Sequence, residues 1–177
     1  MSENSEIEKQ MNKLKNSKLI AVNKVEKIDN NPITWKIIFD GPDNSPYEDG
    51  IFALKFIFKG VFPENGPEAR FITPMFHPNV DPKEDQHVCI NILNNWKKER
   101  SIEFVVLGIF DILLDPQATG AYSNEARKLL EKNYDEYYDK VEEYTYKYAK
   151  KEYENFNSVE EHREFYNEII LPLKQKK

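Results

Sequence analysis

Apolar residues recur along this chain at a period that changes from segment to segment, and the changes mark out its elements. Ile7, Met11 and Leu14 stand at i, i+4 and i+7 with charges between them, which predicts a short amphipathic helix over residues 6–15. From Leu19 to Lys27 the spacing shortens toward alternation and predicts a strand, and Asn30-Asn31-Pro32 then signals a turn. Thr34 to Phe39 is rich in β-branched and aromatic residues and predicts a second strand. Asp40 to Pro46 is dense in turn formers and predicts a loop. Ile51 to Phe58 is apolar enough on both sides to predict a central third strand. A link punctuated by glycine and proline, Gly60 to Pro67, leads to a short fourth strand around Ala69 to Ile72. Strands that follow one another through short links predict an antiparallel meander.

Regular patterning fades from Pro74 to Leu93. Pro74, Pro78 and Pro82, with the charged run Asp81 to Asp85, exclude an ordinary helix or central strand. The ends of this stretch are too apolar for a loose linker, so it predicts a long ordered loop packed on the domain. Helical patterns follow. Ser101 can cap a helix from Ile102 to Leu114 with Val105, Ile109, Ile112 and Leu113 on its buried face, and Asp115-Pro116 ends it. Ser123 opens another, and Tyr134, Tyr138, Val141, Tyr144 and Tyr148 form the stripe of a long amphipathic helix. Ser158 with Glu161 is a capping box for a final helix toward Leu171. The layout is α+β: an N-terminal helix, a four-stranded antiparallel meander, an ordered loop, then C-terminal helices. Residues 1–153 form the expected domain and 154–177 a helical extension ending in Lys174, Lys176 and Lys177.

Composition narrows the function. A chain of 177 residues can bury a core without staples. The net charge of -6 argues against nonspecific nucleic-acid binding. No stretch has the length of a membrane span, and the first thirty residues show no apolar signal core. A single cysteine, Cys89, excludes an internal disulfide and a cysteine-rich metal site, and it fits a reducing compartment. A cytoplasmic or nuclear protein is expected. Taken alone, Cys89 reads either as a small buried hydrophobe or as a nucleophile.

Its surroundings decide. Gly41-Pro42, Ser45-Pro46-Tyr47, Gly50-Ile51-Phe52, Phe62-Pro63 with Pro67, His77-Pro78-Asn79, Val88-Cys89-Ile90, Ile92-Leu93, Trp96 and Asp115-Pro116 occur in order. In that order and near that spacing, from about Ile7 to Tyr148, the chain resembles the ubiquitin-conjugating enzyme family. The resemblance implies the fold of that family. It also implies that Cys89 takes the C-terminus of ubiquitin or a relative as a thioester and passes it to a lysine or a ligase cysteine. Sulfur suits a carrier, because a thioester preserves acyl-transfer potential and a thiolate attacks well without a dedicated triad. Asn79 is implied to stabilise the oxyanion, an effect of about 3 kcal/mol for one side-chain donor, or to hold the active-site loop in shape. His77 is implied to be a structural clamp of that loop. Contacts with the activating enzyme and ligase are implied at Lys9, Pro63, Glu64, Trp96, Lys97 and Lys98. Expected partners are therefore ubiquitin or a ubiquitin-like protein, an activating enzyme and a ligase, with no nucleic acid. No metal and no cofactor are expected on this chain, since ATP is used by the activating enzyme.

Several positions depart from the family pattern. The segment between His77 and Cys89 is longer, with Pro82-Lys83-Glu84-Asp85 in the extra length, and that from Cys89 to Trp96 is slightly shorter. Lys97-Lys98-Glu99 replaces a Ser-Pro-Ala turn, and Glu64 stands where ligase-binding members often place an aromatic residue. No acidic residue occupies the positions of Gly120 or Asn91, where a carboxylate would orient and deprotonate an incoming lysine. Slow intrinsic discharge onto lysine is therefore expected. His87, two residues before the thiol, is expected to be solvated rather than a catalytic partner, and Trp96 to anchor the loop after Cys89. Other readings stay open: a conjugating enzyme for the cullin modifier or SUMO, a catalytically weak ubiquitin-binding scaffold, or an unrelated cysteine hydrolase.

Overall fold

The computed structural model describes residues 3–20, 22–83 and 85–175. Ala21, Glu84, Lys176 and Lys177, which figured in the expected strand, insertion and basic tail, lie outside the described residues. The chain runs through α1 (Glu3–Lys15), β1 (Val22–Asn30), β2 (Ile33–Asp40), β3 (Ile51–Phe58), β4 (Glu68–Phe71), α2 (Asn91–Asn94), α3 (Ile102–Leu114), α4 (Asn124–Lys132) and α5 (Tyr134–Tyr148). A 3₁₀ turn (Lys151–Tyr153), α6 (Val159–Phe165), a π-turn (Tyr166–Ile170) and α7 (Leu171–Gln175) complete it. The strands pair in sequence order, all antiparallel.

Side chains alternate across the sheet, so each strand has two jobs. Ile37, Phe39, Phe52, Leu54, Phe56 and Phe71 point inward and meet Met11 and Leu14 of α1 and Val105, Ile109 and Leu113 of α3 in one core. Phe39 makes an edge contact with Phe110 of α3, ring centroids 4.9 Å apart. On the opposite face Ile38, Ala53 and Ile72 form a smaller apolar cluster, which Phe156 covers. Lys36 shares that face and is 2 % exposed. Its ammonium meets Glu26 Oε1 at 2.9 Å and donates to Asn157 Oδ1 at 2.8 Å and Glu154 O at 3.1 Å. The C-terminal segment is thus strapped across the outer face of the sheet. Around it Tyr153, Phe156, His162 and Phe165 form an aromatic cluster, and Lys147 Nζ sits 3.9 Å from the Tyr166 ring centroid.

Some elements differ from expectation. The first strand starts at Val22 rather than Leu19, and the expected loop up to Leu93 contains the single-turn helix α2. The helix opened at Ser123 and the tyrosine-bearing helix are separate, as expected, and meet at Asn133, whose Oδ1 caps α5 by accepting from Glu136 N. The core-facing stripe of α5 is Tyr137, Val141 and Thr145, not the expected tyrosines; Tyr134 is exposed and Tyr144 and Tyr148 only partly covered. The capping box of α6 is half formed. Ser158 Oγ accepts from Glu161 N, while the Glu161 carboxylate accepts from Asn157 N instead of closing on Ser158.

Candidate active site

The segment around Cys89 is held by pairing, although it belongs to no long strand. Val88 N donates to Ala69 O at 2.9 Å, Asp81 N to His87 O at 2.9 Å, and Cys89 N to Asn79 O at 2.8 Å. Val88 and Ile90 are buried to either side, so the half-buried Cys89 between them is fixed with its side chain facing out. The backbone places Asn79 beside Cys89, which sequence separation alone would not.

His77 is 1 % exposed and braces the loop from beneath. Its Nε2 meets Ile112 O at 2.7 Å, and its Nδ1 accepts from Asn79 N at 2.9 Å. A carbonyl partner on one nitrogen and an N–H partner on the other require the neutral ring with the proton on Nε2. Burial pushes its pKa down to about 4 against the opposing bond to Ile112, so the ring is neutral at physiological pH. Asn79 is also buried, and its Oδ1 accepts from Gln117 N at 3.1 Å. Pro78 O accepts from Tyr122 N at 2.8 Å and Ser123 N at 3.1 Å. The His77-Pro78-Asn79 turn therefore ties together α3, the segment after Pro116 and the start of α4.

An open groove of about 520 Å³ runs from Cys89 between α2, α3 and the segment holding Gln117, Thr119 and Gly120. Gly108 lets the wall close tightly, since a Cβ there would press on the tip of the Ile92 side chain of α2. Among the described residues lining the groove Asp111 is the one carboxylate, contributed by α3 rather than by the positions of Asn91 or Gly120.

Three residues near the thiol were not picked out from the sequence. Asn94 Nδ2 donates to Cys89 Sγ at 3.3 Å. Tyr122 sits beside Cys89, and its phenol pKa is raised first by burial and then by the neighbouring thiol. Gln86 plugs the lengthened loop. It is 1 % exposed with φ of 48°, its Oε1 accepts from Met75 N at 2.8 Å and its Nε2 donates to Asp81 O at 3.0 Å. His87 is half-buried and turns its ring edge-on to Tyr122 at 5.9 Å between centroids, so the expected solvated position is partly covered.

The other expected contact residues gather away from the thiol. Trp96 Nε1 donates to Pro63 O at 2.8 Å and its ring lies 6.0 Å from that of Phe62. Gly66 runs so close to the indole that a Cβ there would collide with it. Lys98 Nζ meets Glu64 Oε1 at 3.1 Å, and this exposed pair links the same two loops. Lys97 is exposed, and Lys9 on α1 pairs with Glu6 at 3.5 Å. Among the described residues no helix is long and apolar enough to cross a membrane, and no three of His, Cys, Asp and Glu gather as metal ligands.

A sheet of this order, flanked by these helices and carrying a cysteine against a His-Pro-Asn turn, defines a known class. The family model for ubiquitin-conjugating enzymes matches residues 4–145, and the chain belongs to the ubiquitin-conjugating enzyme family. It is 37% identical over 103 residues to the ubiquitin-conjugating enzyme E2 S-A of Xenopus laevis, covering 58% of this chain and 45% of that protein. Against the ubiquitin-conjugating enzyme E2 S of Nematostella vectensis it is 35% identical over 123 residues, covering 69% and 59%. The solved E2 domain of a Toxoplasma gondii ubiquitin conjugating enzyme superposes with a TM-score of 0.74 at 25% identity, covering 84% of this chain and all of that one. The chain spans about half the length of the curated relatives it matches.

Proposed function

We propose that this chain is an acyl carrier that takes a ubiquitin-type protein from an activating enzyme as a thioester on Cys89 and hands it to a lysine or a ligase cysteine. The observation that carries the reading is the fixed, half-buried Cys89 at the head of an open groove, with the His77-Pro78-Asn79 turn bonded to its backbone. The groove suits an extended C-terminal tail ending at the sulfur. His77 acts as a neutral clamp, Asn79 holds the loop through Gln117, and neither is a general base. Lys9 on α1 is the activating-enzyme contact. Pro63, Glu64, Trp96, Lys97 and Lys98 form the ligase-facing surface, with the Glu64–Lys98 pair setting its charge pattern. The carrier itself uses no cofactor or metal, and it works in the cytoplasm or nucleus.

Carboxylates are missing at Asn91 and Gly120, which makes intrinsic lysine discharge slow and favours transfer to thiols. Charging with a panel of activating enzymes and modifiers, scored for a thiol-reducible adduct, tests the carrier reading and names the modifier. Single-turnover discharge of the charged protein onto free lysine and free cysteine then tests the acceptor preference. Slower decay with lysine than with cysteine is expected; fast lysine discharge without a ligase contradicts it.

A further inference from the structure

We propose that Asn94 is a catalytic residue for acyl transfer at Cys89, the side-chain amide that donates to the thioester carbonyl oxygen as it becomes an oxyanion. This rests on the carrier reading of Cys89. Asn94 Nδ2 lies 3.3 Å from Sγ. Once the sulfur is acylated, the carbonyl oxygen lies on the carbon next to that sulfur, and rotation about the S–C bond can turn it toward a donor already placed at the sulfur. Asn79 Oδ1 accepts from Gln117 N, which ties that side chain to the loop. The two asparagines divide the work: Asn79 shapes the loop and Asn94 faces the chemistry.

The position of Asn94 is built rather than incidental. Its backbone N donates to Ile90 O at 3.1 Å, which fixes it one helical turn beyond the cysteine. Arg100 Nη1 donates to Ile92 O and to Asn95 O, both at 2.6 Å, and so ties down the end of α2. The missing side chain of Gly108 lets Ile92 seat against α3. A donor held in place before the reaction needs no reorganisation when charge develops, which is where such groups gain their effect.

In the discharge step an acceptor amine attacks the thioester carbonyl carbon, a C–N bond forms, and the carbonyl electron pair moves onto oxygen. The Asn94 N–H group stabilises that oxygen. The intermediate collapses, the C–S bond breaks, Cys89 leaves as the thiolate, and the amine nitrogen gives its proton to solvent.

The test compares wild type, Asn94→Ala and the isosteric Asn94→Asp, each charged with ubiquitin to completion and then mixed with hydroxylamine or free cysteine. Discharge slowed about tenfold in both variants supports the proposal, scaled down from the effect of a fully buried donor because Asn94 is exposed. Alkylation of Cys89 by iodoacetamide builds no oxyanion, and at a pH high enough to ionise the thiol fully in both proteins it should stay within about twofold of wild type in Asn94→Ala. Wild-type discharge in both variants overturns the proposal. Alkylation and discharge falling together also overturns it, since Asn94 would then only shape the cysteine. Failure of the wild type to charge at all strikes the carrier reading instead.

Discussion

The residue with the largest structural reach in the site is His77, because one neutral ring joins α3 to the active-site turn through two hydrogen bonds. A second histidine, His162, is 3 % exposed under the aromatic cluster of the C-terminal strap, and neither of its ring nitrogens has a partner among the described residues. Burial lowers both to about 4, from an ordinary value of 6.5. Well above pH 6.5 each ring is neutral folded or unfolded, and the two states bind protons alike. As pH falls from 6.5 toward 4 the unfolded chain takes up protons that the folded one refuses, so stability is lost over that window and levels off below it. The loss is at most about 3 kcal/mol per histidine. Chemical denaturation from pH 7.5 to 4.5 should show this decline, and His162→Phe should flatten part of it. An unchanged midpoint across the range would contradict the buried neutral state of both rings.

At the level of elements, the strap and the sheet depend on each other. Lys36 is a buried cation whose partners come from β1 and from the segment Glu154 to Asn157. Its replacement in Lys36→Ala removes the donor from those oxygens and leaves the Glu26 carboxylate without one of its two lysines. Removing one partner of a buried ion pair costs about 3 kcal/mol or more when both are enclosed, and less here because Glu26 is partly exposed. Limited proteolysis should then cut between residues 149 and 175 well before the core, whereas the wild-type strap resists; equal resistance would mean that Lys36 does not fasten it. Much of this architecture was legible in the sequence. Thr34–Phe39 and Ile51–Phe58 show as strands because β-branched and aromatic residues fit a pleated surface, and a strand apolar on both sides is covered on both faces. Ser101 and Ser123 mark helix starts because free N–H groups need an acceptor there. The strap's docking was not legible, since it depends on Lys36 and Asn157 meeting across the fold. Nor was α2, a single turn with no buried residue.

At the scale of the molecule, sheet, helices and ordered loops converge on the presentation of one thiol, Cys89. The motif residues Cys89, Asn79 and His77 could be picked out because they travel in short local patterns. Asn94, Tyr122 and Gln86 could not, because each acts through a contact that only the folded loops create. The central claim is that Cys89 carries the modifier as a thioester, and intact mass of the protein after charging tests it most directly. Wild type should gain one modifier mass that a thiol reductant removes. The Cys89→Ser variant should gain the same mass as an oxyester that survives the reductant and yields to hydroxylamine. A wild-type adduct that withstands the reductant, or one of unchanged kind in Cys89→Ser, would contradict the account.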